Sequence, residues 1–175
     1  MRPPVRSSAR SRSAASVRLP RPLFSTRPAS TRVSSPSAEP ILATVEIPGE
    51  FHDLLASKAI ALVGTIGKRG EPQVTPLWFL WDGERVRISL VDGRQKLRNL
   101  QRNPLISLVI VDPARPTYYV ELRGRIDDLV PDPELALEQA VARKYTGGWT
   151  DVEPPGTTRY ATSIVVERIT SQLGH

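Results

Sequence analysis

Between Glu50 and Ile169 the chain switches repeatedly between a period of 3.6 and a period of 2, and each switch marks an element boundary. Phe51, Leu54 and Leu55 fall on one face of a short opening helix over Glu50 to Ser57. Ala59 to Ile66 reads as a strand, Gly67 to Gly70 as its turn, and Pro72 to Trp81 as the returning strand. Pro76 cannot donate to a ladder, so that strand is expected at a sheet edge or with a bulge. Asp82-Gly83 is a two-residue hairpin signal, after which Val86, Ile88 and Leu90 alternate with Arg87 and Ser89 as in a half-buried strand. The period then changes: Leu97 and Leu100 share a helical face, Asp92 is the expected N-cap with Gln95 completing a capping box, and Pro104 lies just past the end.

Leu105 to Val111 is a near-continuous apolar strand and Asp112 to Pro116 a loop. From Thr117 to Ile126 the alternation is clean, with Tyr118, Val120, Leu122, Gly124 and Ile126 on the face expected to be buried. Asp132 is the expected cap of a further helix with Pro133 at its first position, running through Leu137 and Val141 to Lys144 and stopped by Gly147-Gly148. Residues 146–158 read as a loop around Trp149, and Arg159 to Ile169 as the last strand. Six strands in hairpin-like succession with short helices predict a mainly β protein, a small antiparallel barrel.

Charge separates a leader from this pattern. Residues 1–40 hold eight Arg, ten Ser and seven Pro against one acid, Glu39, whereas residues 41–175 hold sixteen Lys and Arg against seventeen Asp and Glu. The leader cannot bury enough apolar surface to offset ordering its backbone, so residues 1–44 are expected to be a disordered tail and 45–175 the folded domain. The tail's composition fits an organelle leader, translated upstream sequence or a basic arm. The domain itself is near neutral, so nucleic acid is not an expected partner. No apolar run reaches membrane-spanning length, and a cytoplasmic protein is expected. The chain has no Cys and only two His, His52 and His175, which removes thiolate chemistry, Cys-bound metals and a Ser-His-Asp triad. Glycines 64, 67 and 70 close a hairpin with no helix after them, so they are not a nucleotide loop. What remains is the corner from Val86 to Pro104, where a strand runs into a helix whose first turn carries Arg94 and Lys96. Two readings stay open there: free backbone N–H groups, the helix dipole and two cationic side chains meet one anion, or the helix simply turns a basic face to water.

Three segments together resemble the pyridoxamine-phosphate-oxidase-like flavin and deazaflavin proteins, in the branch that uses coenzyme F420. They are Gly67 to Gly83, Ile88 to Pro104 and Tyr119 to Arg125, and the resemblance spans roughly residues 50–170. It implies a six-stranded antiparallel split β-barrel of the FMN-binding type, working as a homodimer with a cofactor in each of two interface clefts. It also implies that Gln73, Val74, Thr75, Pro76 and Trp78 line the cofactor ring, and that Ser89, Arg94 and Lys96 grip its phosphate with Asn99 close by. Thr75 stands where the FMN oxidases have a phosphate-binding Arg, which argues for F420 over FMN. The implied function is hydride transfer between reduced deazaflavin and an unsaturated small molecule, with no catalytic side chain identified because the cofactor does the chemistry. An FMN-binding oxidase or flavin reductase, and a carrier that binds flavin or haem without turnover, are the alternatives.

If the tail adds nothing to the core, deleting residues 1–40 leaves the melting temperature unchanged in a thermal scan. A large drop would show that the tail docks.

Overall fold

The computed structural model describes residues 44–148 and 156–173. The expected disorder of the tail and the centre of the 146–158 loop, with Trp149, lie outside the described residues. A single 3-10 turn at Gly49–Phe51 leads into α1 (His52–Ala56), followed by β1 (Ala61–Ile66), β2 (Pro72–Leu77), β3 (Leu80–Trp81) and β4 (Val86–Val91). Then come α2 (Gln95–Arg102), β5 (Leu105–Asp112), β6 (Arg115–Ile126), β7 (Val130–Pro131), α3 (Ala136–Thr146) and β8 (Arg159–Leu173).

Among the described residues the strands form one antiparallel sheet in the order β2-β1-β5-β6-β8-β4-β3, with β7 pairing to the side of β8. β2 and β3 end opposite sides of that order, yet only Trp78 and Phe79 lie between them. Leu77 and Leu80 are therefore no more than roughly 11 Å apart, and the sheet has to curl until its two ends nearly meet. This is the split barrel that the resemblance implied, and the free edge of β2 faces the split. Pro76 sits on that end strand, as its missing N–H requires.

The inside of the curl is the core. Val63, Ile88, Leu108, Ile110, Val120 and Leu122 are fully buried, and the opening 3-10 turn and α1 add Phe51 and Leu55 to the same core. Each such side chain contributes roughly 1.5–3 kcal/mol of transfer free energy. β6 buries the face its alternation predicted. Tyr118 at the start of that face stacks on Phe51 with ring centres 5.8 Å apart and turns its hydroxyl to Asp53 Oδ1 at 2.8 Å, so α1 is tied to the sheet by both ends of one side chain.

Four expectations are corrected. The strand over 72–81 is broken at Trp78 and Phe79 into β2 and β3, because Phe79 turns fully inward to fill the core. That break and the unforeseen two-residue β7 each add a strand, so the sheet has eight rather than six, and β8 runs on to Leu173 beyond the expected Ile169. Asp92 does not cap α2: its Oδ1 accepts the N–H of Gly93, the helix starts at Gln95 after Arg94, and no side chain caps it. α3 begins at Ala136 rather than Pro133, although Asp132 still caps it, accepting the N–H groups of Ala136 at 2.8 Å and Leu137 at 3.0 Å.

β6 and β8 approach most closely at a bulge, where the register steps from Arg123↔Arg168 to Gly124↔Val166. A Cβ on Gly124 would overlap the Val165 carbonyl oxygen, so only glycine fits there without moving backbone. Gly124→Ala is expected to destabilise the domain by about 3 kcal/mol in denaturant unfolding.

Candidate functional site

The split between β2 and β4 is covered on one side by α3, which follows β7 and packs against β3 and β4. Here the structure forms a cleft of about 370 Å³ whose lining includes Pro76, Trp78, Ser89, Glu138, Val141 and Arg159. Of the residues singled out from the sequence, it brings Pro76, Trp78 and Ser89 together in this cleft. Trp78 is held by stacking on Tyr145, with ring centres 4.8 Å apart and planes 5° from parallel. Tyr145 is anchored in turn: its hydroxyl donates to the Ala59 carbonyl at 2.8 Å and accepts the Phe79 N–H at 3.4 Å. Burial pushes that phenol up to about 12, so it stays protonated and keeps both bonds rather than serving a substrate.

Ser89 is buried at 4 % exposure, and its Oγ accepts a hydrogen bond from Arg159 at 3.1 Å. The same guanidinium nitrogen meets Glu138 Oε2 at 2.8 Å, giving a buried ion pair at the back of the cleft. Neither Arg159 nor Glu138 was singled out from the sequence. Glu138 carried a readable signal, since it shares a helical face with the apolar Val141 and Ala142, and a carboxylate on such a face needs a buried partner. Arg159 gave none at the start of a strand next to polar residues.

α2 starts with Arg94 at its N-cap and Lys96 in its first turn, with no acid in that turn. Lys96 is half-buried, and burial lowers its pKa to about 8. No hydrogen bond or ion pair reaches its ammonium among the described residues. A desolvated cation without a partner, beside uncapped helix N–H groups, fits a bound anion such as a phosphate.

Asn99 occupies a different role from the one expected. It is fully buried, and its Nδ2 donates to Thr65 Oγ1 at 3.0 Å and Gln73 Oε1 at 2.9 Å, while Oδ1 accepts from Gln95 at 2.7 Å and Arg102 at 2.6 Å. The Nδ2 end ties α2 to β1 and β2 and fixes Gln73, while the Oδ1 end is held within α2. Thr75, two residues on, is half-buried on the same side of β2. Val74 is 64 % exposed and lines a separate apolar groove of about 650 Å³ with Leu105 and Ile106, away from the Trp78 cleft.

With this geometry in place, comparison with known proteins identifies the fold's relatives. The family described as pyridoxamine 5'-phosphate oxidase matches residues 47–172. The chain belongs to that family. A solved F420 reductase is similar over 72 % of this chain and 100 % of its own, at 34 % identity and a TM-score of 0.65. A conserved hypothetical protein from Mycobacterium tuberculosis is 26 % identical over 79 % of this chain and 89 % of its own, with a TM-score of 0.59. HupZ from Group A Streptococcus is 25 % identical over 73 % of this chain and 96 % of its own, with a TM-score of 0.52. None of the curated proteins matches. The family and these relatives give the chain an oxidoreductase fold of the kind that binds a flavin or deazaflavin. No helix among the described residues is long and apolar enough to cross a membrane.

Asn99 and Lys96 are expected to respond oppositely to truncation. Asn99→Ala strands buried partners on β1 and β2 and should cost about 2–3 kcal/mol in denaturant unfolding. Lys96→Met removes an unpartnered, desolvated charge, so it should leave stability at neutral pH unchanged or raised.

Proposed function

We propose that the protein is a coenzyme F420-dependent oxidoreductase acting on an unsaturated small molecule. The observation that carries this reading is Lys96, a partly desolvated ammonium without a partner among the described residues, at the start of α2, where Arg94 as N-cap makes no side-chain cap bond. It is the group a phosphate-bearing coenzyme would need, with Arg94 beside it and Ser89 at the end of the adjoining strand. Gln73 and Thr75 on the free edge of β2, with Pro76 and Trp78, would hold the ring. When bound, the deazaflavin supplies the hydride donor or acceptor. The chain's own residues orient it, keep water from one face through the Trp78–Tyr145 stack, and leave the other face to substrate. Support for the deazaflavin over FMN comes from the uncharged Thr75 and from the similarity to the F420 reductase.

A homodimer is part of the same proposal. Leu62, Val74 and Leu105 are 45 %, 64 % and 51 % exposed on the outer side of β1, β2 and β5, an apolar face that a second copy would cover. Val74, which does not line the Trp78 cleft, would then reach a cofactor or a partner only across that interface. A cofactor cleft shared between copies would require a closed symmetric pair. Light scattering that returns a monomer at micromolar concentration would count against the shared cleft.

Titration of the purified protein with F420 and with FMN, followed by fluorescence, tests the reading. Tight binding of F420 alone is expected, and preference for FMN would overturn it. Lys96→Ala should weaken F420 binding about ten- to a hundredfold, since a charge-assisted hydrogen bond contributes roughly 1.5–3 kcal/mol. Arg102 is no control for this experiment because it holds Asn99 Oδ1, whereas the exposed Lys58 is a suitable one. The pH dependence has a definite sign. A bound anion raises the Lys96 pKa above its free value of about 8, so the complex holds more protons than the free protein and affinity falls as pH climbs past 8. In Lys96→Arg that fall should vanish, because a guanidinium does not titrate in this range.

A further inference from the structure

Trp78 stands in a break between two strands, and the groups that hold it come from α3 rather than from the sheet. The ladders on either side end at Leu77 opposite Ala61 and begin again at Leu80 opposite Arg87, so Phe79 falls in the gap. Its side chain is fully buried, and peptide groups stranded beside it would be costly. Two consecutive residues of α3 take them instead: Tyr145 Oη accepts the Phe79 N–H at 3.4 Å, and Lys144 Nζ donates to the Phe79 carbonyl at 3.2 Å. Neighbours in a helix point about 100° apart, which lets one grip the N–H end of Phe79 and the other its carbonyl end. Both are anchored again on the chain after α1, Lys144 to the Leu55 carbonyl and Tyr145 to the Ala59 carbonyl, each at 2.8 Å. Leu137, Val141 and Ala142 already bury α3, so attaching the helix does not by itself call for a buried ammonium and a buried phenol. What these two side chains have in common is Phe79, the residue next to Trp78.

We propose that Lys144 and Tyr145 are positioning residues for the coenzyme ring, a two-point clamp that acts through Trp78. Tyr145 holds Trp78 twice, by the peptide that joins it to Phe79 and by the ring stacked on its indole. Lys144 fixes the next peptide, so the backbone on the C-terminal side of Trp78 cannot turn and the indole keeps one plane. The wall that Trp78 gives the cleft is then set before a ligand arrives, which lowers the ordering cost of binding. Neither Lys144 nor Tyr145 lines the cleft, so both act at one remove. The inference rests on the deazaflavin reading, which puts the ring against Trp78, and adds to it residues that the coenzyme need not touch.

The test is a double-mutant cycle on F420 affinity, measured by fluorescence titration of the full chain at a temperature well below each variant's melting point. Lys144→Met should weaken binding about fivefold, the ordering cost of one freed side chain, and Trp78→Ala about tenfold. If the clamp acts through Trp78, adding Lys144→Met to Trp78→Ala weakens binding no further. If Lys144 is only structural, Lys144→Met alone leaves the affinity unchanged or the two losses multiply to about fiftyfold, and the inference falls. A second readout is spectroscopic. In a chain carrying Trp81→Phe and Trp149→Phe, Trp78 is the sole indole emitter, and Lys144→Met should make it more accessible to quenching by acrylamide; unchanged quenching overturns the clamp. Should Lys144→Met fail to fold, Tyr145→Phe takes its place in the cycle, because it keeps a ring on Trp78 and loses only the hydroxyl that holds Phe79 and Ala59. A parent protein that prefers FMN overturns the proposed function, and the same cycle run with FMN still decides the inference. A parent that binds neither overturns both. Normal F420 binding with multiplying losses overturns the inference alone.

Discussion

β8 changes partners at Ser163, and the geometry of the cleft depends on that change. From Ile164 to Leu173 it pairs with β6, and from Arg159 to Ser163 with β4 on its other side. A single strand belonging to both halves of a split barrel fixes them in register, since a slip of one residue would turn Ile164 and Val166 out of the core. The same pairing sets Arg159 opposite Val91 and Ala161 opposite Ser89, which brings the first residues of the last strand to the mouth of the split. Ser89 and Arg159 are thus joined by a long-range ladder and not by any local motif. The cleft forms only when the whole sheet has closed, so its residues report on complete folding.

Closure also dictates how polar groups are distributed around the cleft. Curling the sheet buries the ends of β1, β2 and β4, and each polar side chain caught there needs partners. Asn99 answers this on the α2 side with two bonds that reach β1 and β2 and two within α2, and Arg159 answers it on the α3 side with Glu138 and Ser89. The two networks tie α2 and α3 to the sheet. A residue so fully engaged cannot also be a flexible ligand contact, which is why Asn99 belongs to the frame although it sits one turn from Lys96.

Much of the frame was readable along the chain. The alternation in β6, the apolar run of β5 and the edge character that Pro76 imposes on β2 are local signals of periodicity and donor count, and each appeared where the pattern put it. Local reading failed where a tertiary demand overrode it. Phe79 breaks a strand because the core needs its ring, and Asp92 leaves the cap because Gly93 takes a positive φ of 70° and turns the chain before the helix begins. At the site, the position of Lys96 was legible because a cation in a helix first turn is a sequence feature. The engagement of Asn99, the separation of Val74 from Trp78 and the pairing of Glu138 with Arg159 were not, because each depends on which elements the curl brings together.

Lys96 and Lys144 are desolvated alike but partnered differently. Burial lowers both to about 8, so the shift alone does not distinguish them. Lys144 Nζ donates to the carbonyls of Leu55 at 2.8 Å and Phe79 at 3.2 Å and lies 3.7 Å from the centre of the Phe79 ring. Its desolvation is offset inside the protein, and what it does is pin α3 to the end of α1 and to the break between β2 and β3. Lys96 carries a similar penalty with no hydrogen-bond or ion-pair partner among the described residues. An anion bound there would replace the lost hydration with charge-assisted hydrogen bonds. Partnership, more than the size of a pKa shift, therefore separates the lysine that holds the fold from the lysine proposed to take a ligand.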